Sequence, residues 1–130
     1  MKSIASVQFM FRHGALFNLG AGILLIVAAH SETVATLIGL PGVPVDQWAV
    51  HFTAMAVLVF GWMYWTIGSD PERNRAMIQF GIAGKSLTVI LIYTHWLIGD
   101  VGWRLPAIAT GDAIYTVLFL SALRRLDLRA

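Results

Sequence analysis

The sequence predicts an all-α integral membrane protein, a single domain in which four transmembrane helices form an antiparallel bundle. Of the 130 residues, 58% are hydrophobic and 12% are charged, and the mean hydropathy is +0.73. A soluble domain carries about twice that share of charge. Four apolar segments each have the length of about 20 residues that a helix needs to cross a bilayer. Basic residues collect on one side of the alternating spans, as they do in multi-pass membrane proteins.

The four predicted spans are separated by recognisable helix signals. Pro106 opens the fourth span, and proline suits the first turn of a helix. Before the second span, TVATLIGL predicts a short interfacial helix that ends at the Pro41–Gly42 turn. Before the third span, Asp70–Pro71 predicts a turn, and Glu72 suits the first turn of the helix that follows. The spans cover about residues 12–29, 48–67, 80–98 and 106–123.

The distribution of charge predicts that both termini lie in the cytoplasm. All nine Lys and Arg residues except Arg104 fall on the side of the termini, and basic loops stay on the cytoplasmic side. Tryptophan prefers the two membrane–water interfaces. The outer interface is predicted to contain Trp48, Trp96 and Trp103, and the inner one Trp62 and Trp65.

Composition also limits the chemistry and the partners. The chain has no cysteine, which excludes disulfides, thiolate metal sites and cysteine nucleophiles. Its basic residues are scattered rather than grouped in a stripe, so nucleic acid is not an expected partner. The expected partners are membrane lipid, a hydrophobic small molecule, and either further copies of the chain or other subunits of a larger membrane complex.

Each span carries one stripe of small or polar residues at helical spacing. Residues three, four and seven apart share a helix face, and ionisable groups in a membrane face the bundle interior because lipid cannot solvate them. These stripes are therefore predicted to pack against one another. They comprise Gly14, Asn18, Gly22, Leu25 and Ala29 in the first span, His51, Met55, Leu58, Trp62 and Trp65 in the second, Gly81, Lys85, Thr88, Ile92, His95 and Gly99 in the third, and Asp112, Tyr115 and Phe119 in the fourth.

Three ionisable residues on these stripes are predicted to converge in the outer half of the bundle. His51 and His95 lie about 5 Å inside the outer ends of their spans, and Asp112 lies about 9 Å inside its own, at 1.5 Å per residue. Tyr115 and Thr88 are predicted to support this cluster from deeper in the bundle. The sequence thus predicts a ligand-binding site formed by His51, His95, Asp112, Tyr115 and Thr88 and assigns no catalytic residue.

The other polar residues of the spans have simpler interpretations. Lys85 is predicted to lie in the inner half and to extend toward the inner interface, where Asp70 or Glu72 is its expected partner. His13 is predicted to contact lipid headgroups. His30, at the outer end of the first span, is predicted to be interfacial, with membership of the outer cluster as an alternative.

Several functions fit the predicted cluster. The cluster fits a pocket for a lipid, a quinone or another hydrophobic molecule, and equally a hydrogen-bonded group that only fixes helix pairing. His51 and His95 on two helices also suit the axial ligands of a b-type haem, whereas zinc needs a further ligand such as Asp112. A His–carboxylate pair is suited to proton transfer in a quinone-linked redox step. The sequence leaves these alternatives open.

Three segments carry a family resemblance, namely LPGVPVDQWAVHFTAMAVLVFGWMYW, GSDPERNRAMIQFGIAGK and GDAIYTVLFLSAL. With them the chain resembles the small four-span bacterial membrane proteins of the DoxX-like and BphX-like families over nearly its whole length. The resemblance implies a four-helix protein of the bacterial inner membrane. It further implies a role such as accessory subunit of a quinone-linked redox complex or a link to aromatic catabolism, and it supplies no catalytic motif.

Overall fold

The computed structural model describes residues 4–128, and over that range it is built from helices alone. Four of the helices are long and apolar enough to cross a membrane, which confirms the all-α prediction and the number of candidate spans. The fifth is the short helix that TVATLIGL predicts. The helices are α1 (Ile4–His30), α2 (Glu32–Ile38), α3 (Gln47–Ser69), α4 (Arg75–Leu97) and α5 (Arg104–Asp127).

The helices extend beyond the predicted spans, most of all at the start of α1, which begins at Ile4. Hydropathy marks only the apolar part of a helix, whereas hydrogen bonding continues through polar turns at the ends. One detail of the prediction is wrong. Glu72 lies in the turn between α3 and α4 rather than in the first turn of α4, because α4 begins only at Arg75.

Local capping explains where α2 and α3 begin and end. Ser31 caps α2, its side chain accepting a hydrogen bond from the amide of Val34 at 3.3 Å. Gly39 ends the helix in the left-handed conformation at φ 81°, which glycine adopts without steric cost. Asp46 caps α3 by accepting hydrogen bonds from the amides of Trp48 and Ala49. The loop between α2 and α3 is therefore held at both ends.

The four long helices form an antiparallel ring in the order α1, α3, α4, α5. α1 packs along the length of α3 and α4 along α5, while α3–α4 and α5–α1 contacts close the ring. We call the end of the bundle with α2 and the loop between α4 and α5 the α2 end. The opposite end, with the start of α1 and the end of α5, is the termini end.

Glycine allows α1 and α3 to approach closely. A Cβ atom added at Gly68 would lie 3.2 Å from both the Arg12 amide nitrogen and the Gln8 carbonyl oxygen. These backbone atoms cannot move aside, so only glycine fits this crossing without separating the helices. Close approach through small residues is the usual means by which membrane helices pack.

The core is concentrated at the termini end. Phe11 stacks on Phe119 with ring centroids 4.4 Å apart, and Tyr64 meets the edge of Phe119 at 5.0 Å. All three rings are fully buried. In the half toward the α2 end, the buried residues of the four long helices are small or proline. They are Gly22, Ala28, Ala29, Ala54, Pro106 and Ala109.

The predicted inward stripes are confirmed for α1 and α5 and are wrong for part of α4 and most of α3. In α4, Gly81 and Lys85 are buried, whereas Thr88 and His95 are exposed. Gly14, Asn18 and Gly22 of α1 are buried, as are Tyr115 and Phe119 of α5.

In α3, Met55, Trp62 and Trp65 of the predicted stripe are exposed, whereas His51 and Leu58 are half-buried beside α1. The inward face of α3 is formed by three small residues, one tyrosine and one isoleucine. These are Ala54, Gly61, Gly68, Tyr64 and Ile67.

Candidate functional site

A lysine, an aspartate and an asparagine from three helices meet in the middle of the bundle. Nζ of Lys85 on α4 forms a close ion pair with Oδ1 of Asp112 on α5. The same Nζ donates to Oδ1 of Asn18 on α1 at 2.9 Å. Asn18 is fixed in turn because its Nδ2 donates to the Val57 carbonyl on α3 at 3.3 Å. We call Lys85, Asp112 and Asn18 the Lys85 centre, and it links all four long helices.

Three aromatic rings surround the Lys85 ammonium. Its Nζ lies 5.5 Å from the ring centroid of Phe17, 5.1 Å from that of Tyr64 and 5.3 Å from that of Tyr115. Ring faces attract cations at these distances. The rings, the carboxylate and the amide therefore replace the water that a charged lysine would otherwise need, and the Lys85 side chain is only 3% exposed.

The Lys85 centre lies halfway along the helices. Asn18 is one residue past the midpoint of α1 at residue 17, and Lys85 is one residue before the midpoint of α4 at residue 86. Asp112 is eight residues from the start of α5, or about 12 Å along the helix. If the four helices cross a bilayer, an ion pair at this depth is far from water.

One carboxylate oxygen of Asp112 has no hydrogen-bond partner in the Lys85 centre. Its Oδ1 accepts from Lys85, but its Oδ2 accepts no hydrogen bond from any residue within 4–128. Over the same range, every buried side-chain oxygen has a hydrogen-bond partner. Since Oδ2 has none, it must reach the surface, and the Asp112 side chain is 21% exposed. One carboxylate oxygen at mid-depth is thus available to an external donor.

α4 is little buried on the side of the Lys85 centre that faces the α2 end. α4 has no described buried residue beyond Lys85 in that direction. α3 and α4 pack closely where Phe60 meets Gly84 and Tyr64 meets Gly81. One turn further, Thr88 is exposed and donates to the Gly84 carbonyl of its own helix at 2.9 Å. Toward the α2 end, the residues of α4 beyond Lys85 are therefore all exposed or half-buried.

The structure does not bring the predicted cluster together as one group. His51 lies beside His30, with their Nε2 atoms 3.1 Å apart. His95 is paired with Asp100 in the following loop, its Nδ1 lying 2.7 Å from Oδ2, and its side chain is 47% exposed. Asp112 contacts Lys85 instead of an imidazole. Of the five predicted residues, Asp112 belongs to the Lys85 centre and Tyr115 lies against it.

Two residues outside the predicted cluster have partners that the sequence did not indicate. Lys85 was expected to reach Asp70 or Glu72 at the inner interface, which is wrong because it is buried against Asp112. His13 was expected at lipid headgroups, but its Nδ1 makes a close hydrogen bond with the hydroxyl of Tyr115. His30, in contrast, joins His51 at the α2 end, as the alternative prediction for it allowed.

The haem and zinc alternatives gain no support from this arrangement. His51 contacts α1 and His95 contacts its own loop, so the two imidazoles do not face a common space. Within residues 4–128, no three His, Asp or Glu side chains are grouped closely enough to hold a metal ion. Quinone binding needs no such ligand set and remains compatible with the Lys85 centre.

A separate apolar groove runs along the outside of α1 and α3. Its volume is about 410 Å³. His51 lies at the end of the groove toward α2, and Trp62 lies at the other end. The lining residues are Ile26, His51, Met55, Leu58, Val59 and Trp62. The groove does not include any residue of the Lys85 centre, and its apolar lining suits a lipid chain rather than polar chemistry.

Comparison with protein-family models, curated proteins and solved structures finds no match to the chain. The DoxX-like and BphX-like resemblance therefore stays a prediction. Function is inferred from the geometry of the Lys85 centre and its surroundings.

Proposed function

We propose that the protein is a multi-pass integral membrane protein that binds a hydrophobic small molecule or lipid at the Lys85 centre. The ligand reaches the centre from the α2-end side, where the residues of α4 are exposed or half-buried, and its polar group donates a hydrogen bond to Oδ2 of Asp112. The observation that carries this proposal is the open carboxylate oxygen at mid-depth of four apolar helices.

Electrostatics favours a binding role over a purely structural one. An ion pair in a low-dielectric interior often contributes no more stability than well-packed apolar side chains of similar volume. Ionisable residues within membrane spans are costly, and they commonly mark binding sites or proton pathways. A structural pair would be enclosed on all sides, whereas Asp112 leaves one carboxylate oxygen exposed and without a partner. A site with an apolar surround and a few polar groups suits a hydrophobic ligand with a polar head.

Binding is tested by extracting the protein with its native lipids into polymer-bounded nanodiscs and measuring bound masses by native mass spectrometry. We expect a stoichiometric ligand on the wild-type protein and its loss from Asp112→Asn, because an amide replaces the charged acceptor. Asp100→Asn is the matched control and should retain the ligand, since Asp100 is exposed and pairs only with His95.

Two outcomes of that measurement contradict the proposal. Equal occupancy of the wild-type protein and Asp112→Asn would mean that Asp112 does not hold the ligand. Loss from His95→Ala with retention in Asp112→Asn would place the site in the histidine layer that the sequence predicts, rather than at the Lys85 centre.

The proposal includes insertion in the cytoplasmic membrane with both termini in the cytoplasm. It is supported by the four apolar helices and by the basic residues near the termini end, which follow the positive-inside rule. The α2 end then faces outward, and the exposed part of α4 beyond Lys85 lies in the outer leaflet.

Orientation is tested with single cysteines, because the natural chain has none. Thr33→Cys on α2 is expected to react with a membrane-impermeant maleimide in intact cells, since α2 faces outward. Glu72→Cys in the α3–α4 turn should react only after permeabilisation, and both positions are exposed. Labelling of Glu72→Cys but not of Thr33→Cys in intact cells would reverse the orientation.

A further inference from the structure

The histidine pair at the α2 end has the nitrogen–nitrogen separation of two ligands on one metal ion. Nε2 of His30, the last residue of α1, lies 3.1 Å from Nε2 of His51 on α3. Their ring centroids are 5.0 Å apart and the ring planes are tilted by 45°. The same nitrogen of each ring therefore points toward the other, from two helices that pack side by side.

The spacing matches what a bound metal requires. Zinc binds imidazole nitrogen at about 2.0–2.1 Å. For angles between square-planar and tetrahedral values at the metal, two such nitrogens lie about 2.9–3.4 Å apart. The observed 3.1 Å lies in that interval. Because the two nitrogens now face each other, each ring would turn by about 35–45° to direct its lone pair at one metal ion.

The surroundings favour a cation at this position. His30 ends α1, where the carbonyl groups carry partial negative charge, but α2 and α3 begin nearby with partial positive charge, so the charged side chains decide the balance. The described loops and helix ends near the α2 end hold one guanidinium, that of Arg104, against three carboxylates. These are Glu32, Asp46 and Asp100. His30 is exposed and His51 is half-buried, so an ion in water can reach both rings.

We propose that His30 and His51 form a binding site for a divalent first-row transition metal of the zinc and copper class, with water in the remaining positions. Imidazole suits zinc, copper and nickel, whereas magnesium prefers oxygen ligands. The site lies apart from the Lys85 centre and does not depend on ligand binding there. A bound ion would join the end of α1 to the start of α3.

The test is a zinc titration of the purified, tag-free protein in detergent, followed by isothermal calorimetry, with magnesium as the comparison ion. We expect one zinc per chain and no magnesium binding. His51→Gln should weaken zinc binding at least about tenfold, since losing even an outer partner of a metal ligand costs about 10–100-fold. Glutamine can still hydrogen-bond to His30, so this variant keeps the helix contact that a histidine pair without metal would make.

His95→Ala is the matched control, because it removes an imidazole near the α2 end without changing His30 or His51. This variant should bind zinc like the wild-type protein. Copper added to the wild-type protein should show two coordinated imidazole nitrogens by electron paramagnetic resonance, and His30→Gln should show fewer. If the wild-type protein binds zinc no more tightly than His30→Gln/His51→Gln, the two rings form only a hydrogen bond. Loss of binding in His95→Ala would overturn the assignment to His30 and His51.

Discussion

Asp112→Leu is expected to lower the free energy of unfolding by about 3–5 kcal/mol, the typical cost of removing one partner from a buried ion pair. The variant leaves the Lys85 ammonium in an interior where its side chain is only 3% exposed. Asn18 and the surrounding rings cannot neutralise a full charge. The measurement is reversible unfolding of the purified protein in mixed micelles titrated with sodium dodecyl sulfate.

Two comparisons separate the buried pair from a general effect of losing a carboxylate. Asp127→Leu removes the exposed ion pair with Arg75 at 3.4 Å, and it should change stability by less than about 1 kcal/mol. Lys85→Met/Asp112→Leu should recover most of the loss, because no uncompensated charge remains. Recovery stays incomplete since Asn18 then lacks a donor for its buried Oδ1. A double variant as unstable as Asp112→Leu alone would show that the ion pair is not the cause.

Phe119→Ala should lower stability by about 3–5 kcal/mol, as large-to-small changes of buried aromatic residues do. Phe119 is fully buried and lies between Phe11 and Tyr64 at ring-centroid distances of 4.4 and 5.0 Å. Removing its ring leaves a cavity in the aromatic core at the termini end. The loss is measured by the same unfolding titration.

Phe80→Ala is the matched control for that prediction. Phe80 carries the same side chain on α4 but is 70% exposed, so its removal opens no cavity and should have little effect. Similar losses in the two variants would mean that the aromatic core at the termini end does not stabilise the bundle as described.

The four spans could be predicted from sequence because length and hydropathy depend only on local composition. Helix rotation could not be predicted equally well. On α1, Gly14, Asn18 and Gly22 stand out as small or polar residues on one face. On α3, His51 and Trp62 were assigned to one inward face, but Trp62 is exposed. Exposing a tryptophan to lipid costs little, so the sequence carries no sign that Trp62 faces outward.

The ion pair itself was missed because Lys85 has a long, flexible side chain. Hydropathy cannot tell whether such a chain extends to the interface or turns inward. One signal in the sequence does favour the pair, since Lys85 and Asp112 are opposite charges on two predicted inward stripes, although the predicted span ends place them in opposite halves of the bundle. A charge between apolar helices needs such a partner. The hydrogen bond between His13 and Tyr115 has no comparable signal in the sequence, because it depends on the rotamers of the two side chains.

Ligand occupancy of Lys85→Met/Asp112→Leu tests the central claim most directly, because this variant removes both charges while keeping most of the stability. Wild-type and variant proteins are extracted in native nanodiscs, and their bound masses are compared by native mass spectrometry beside unfolding titrations of the same preparations. We predict a folded variant without the ligand that the wild-type protein carries. A folded variant with full occupancy would contradict a binding role for the Lys85 centre and leave it as a structural ion pair.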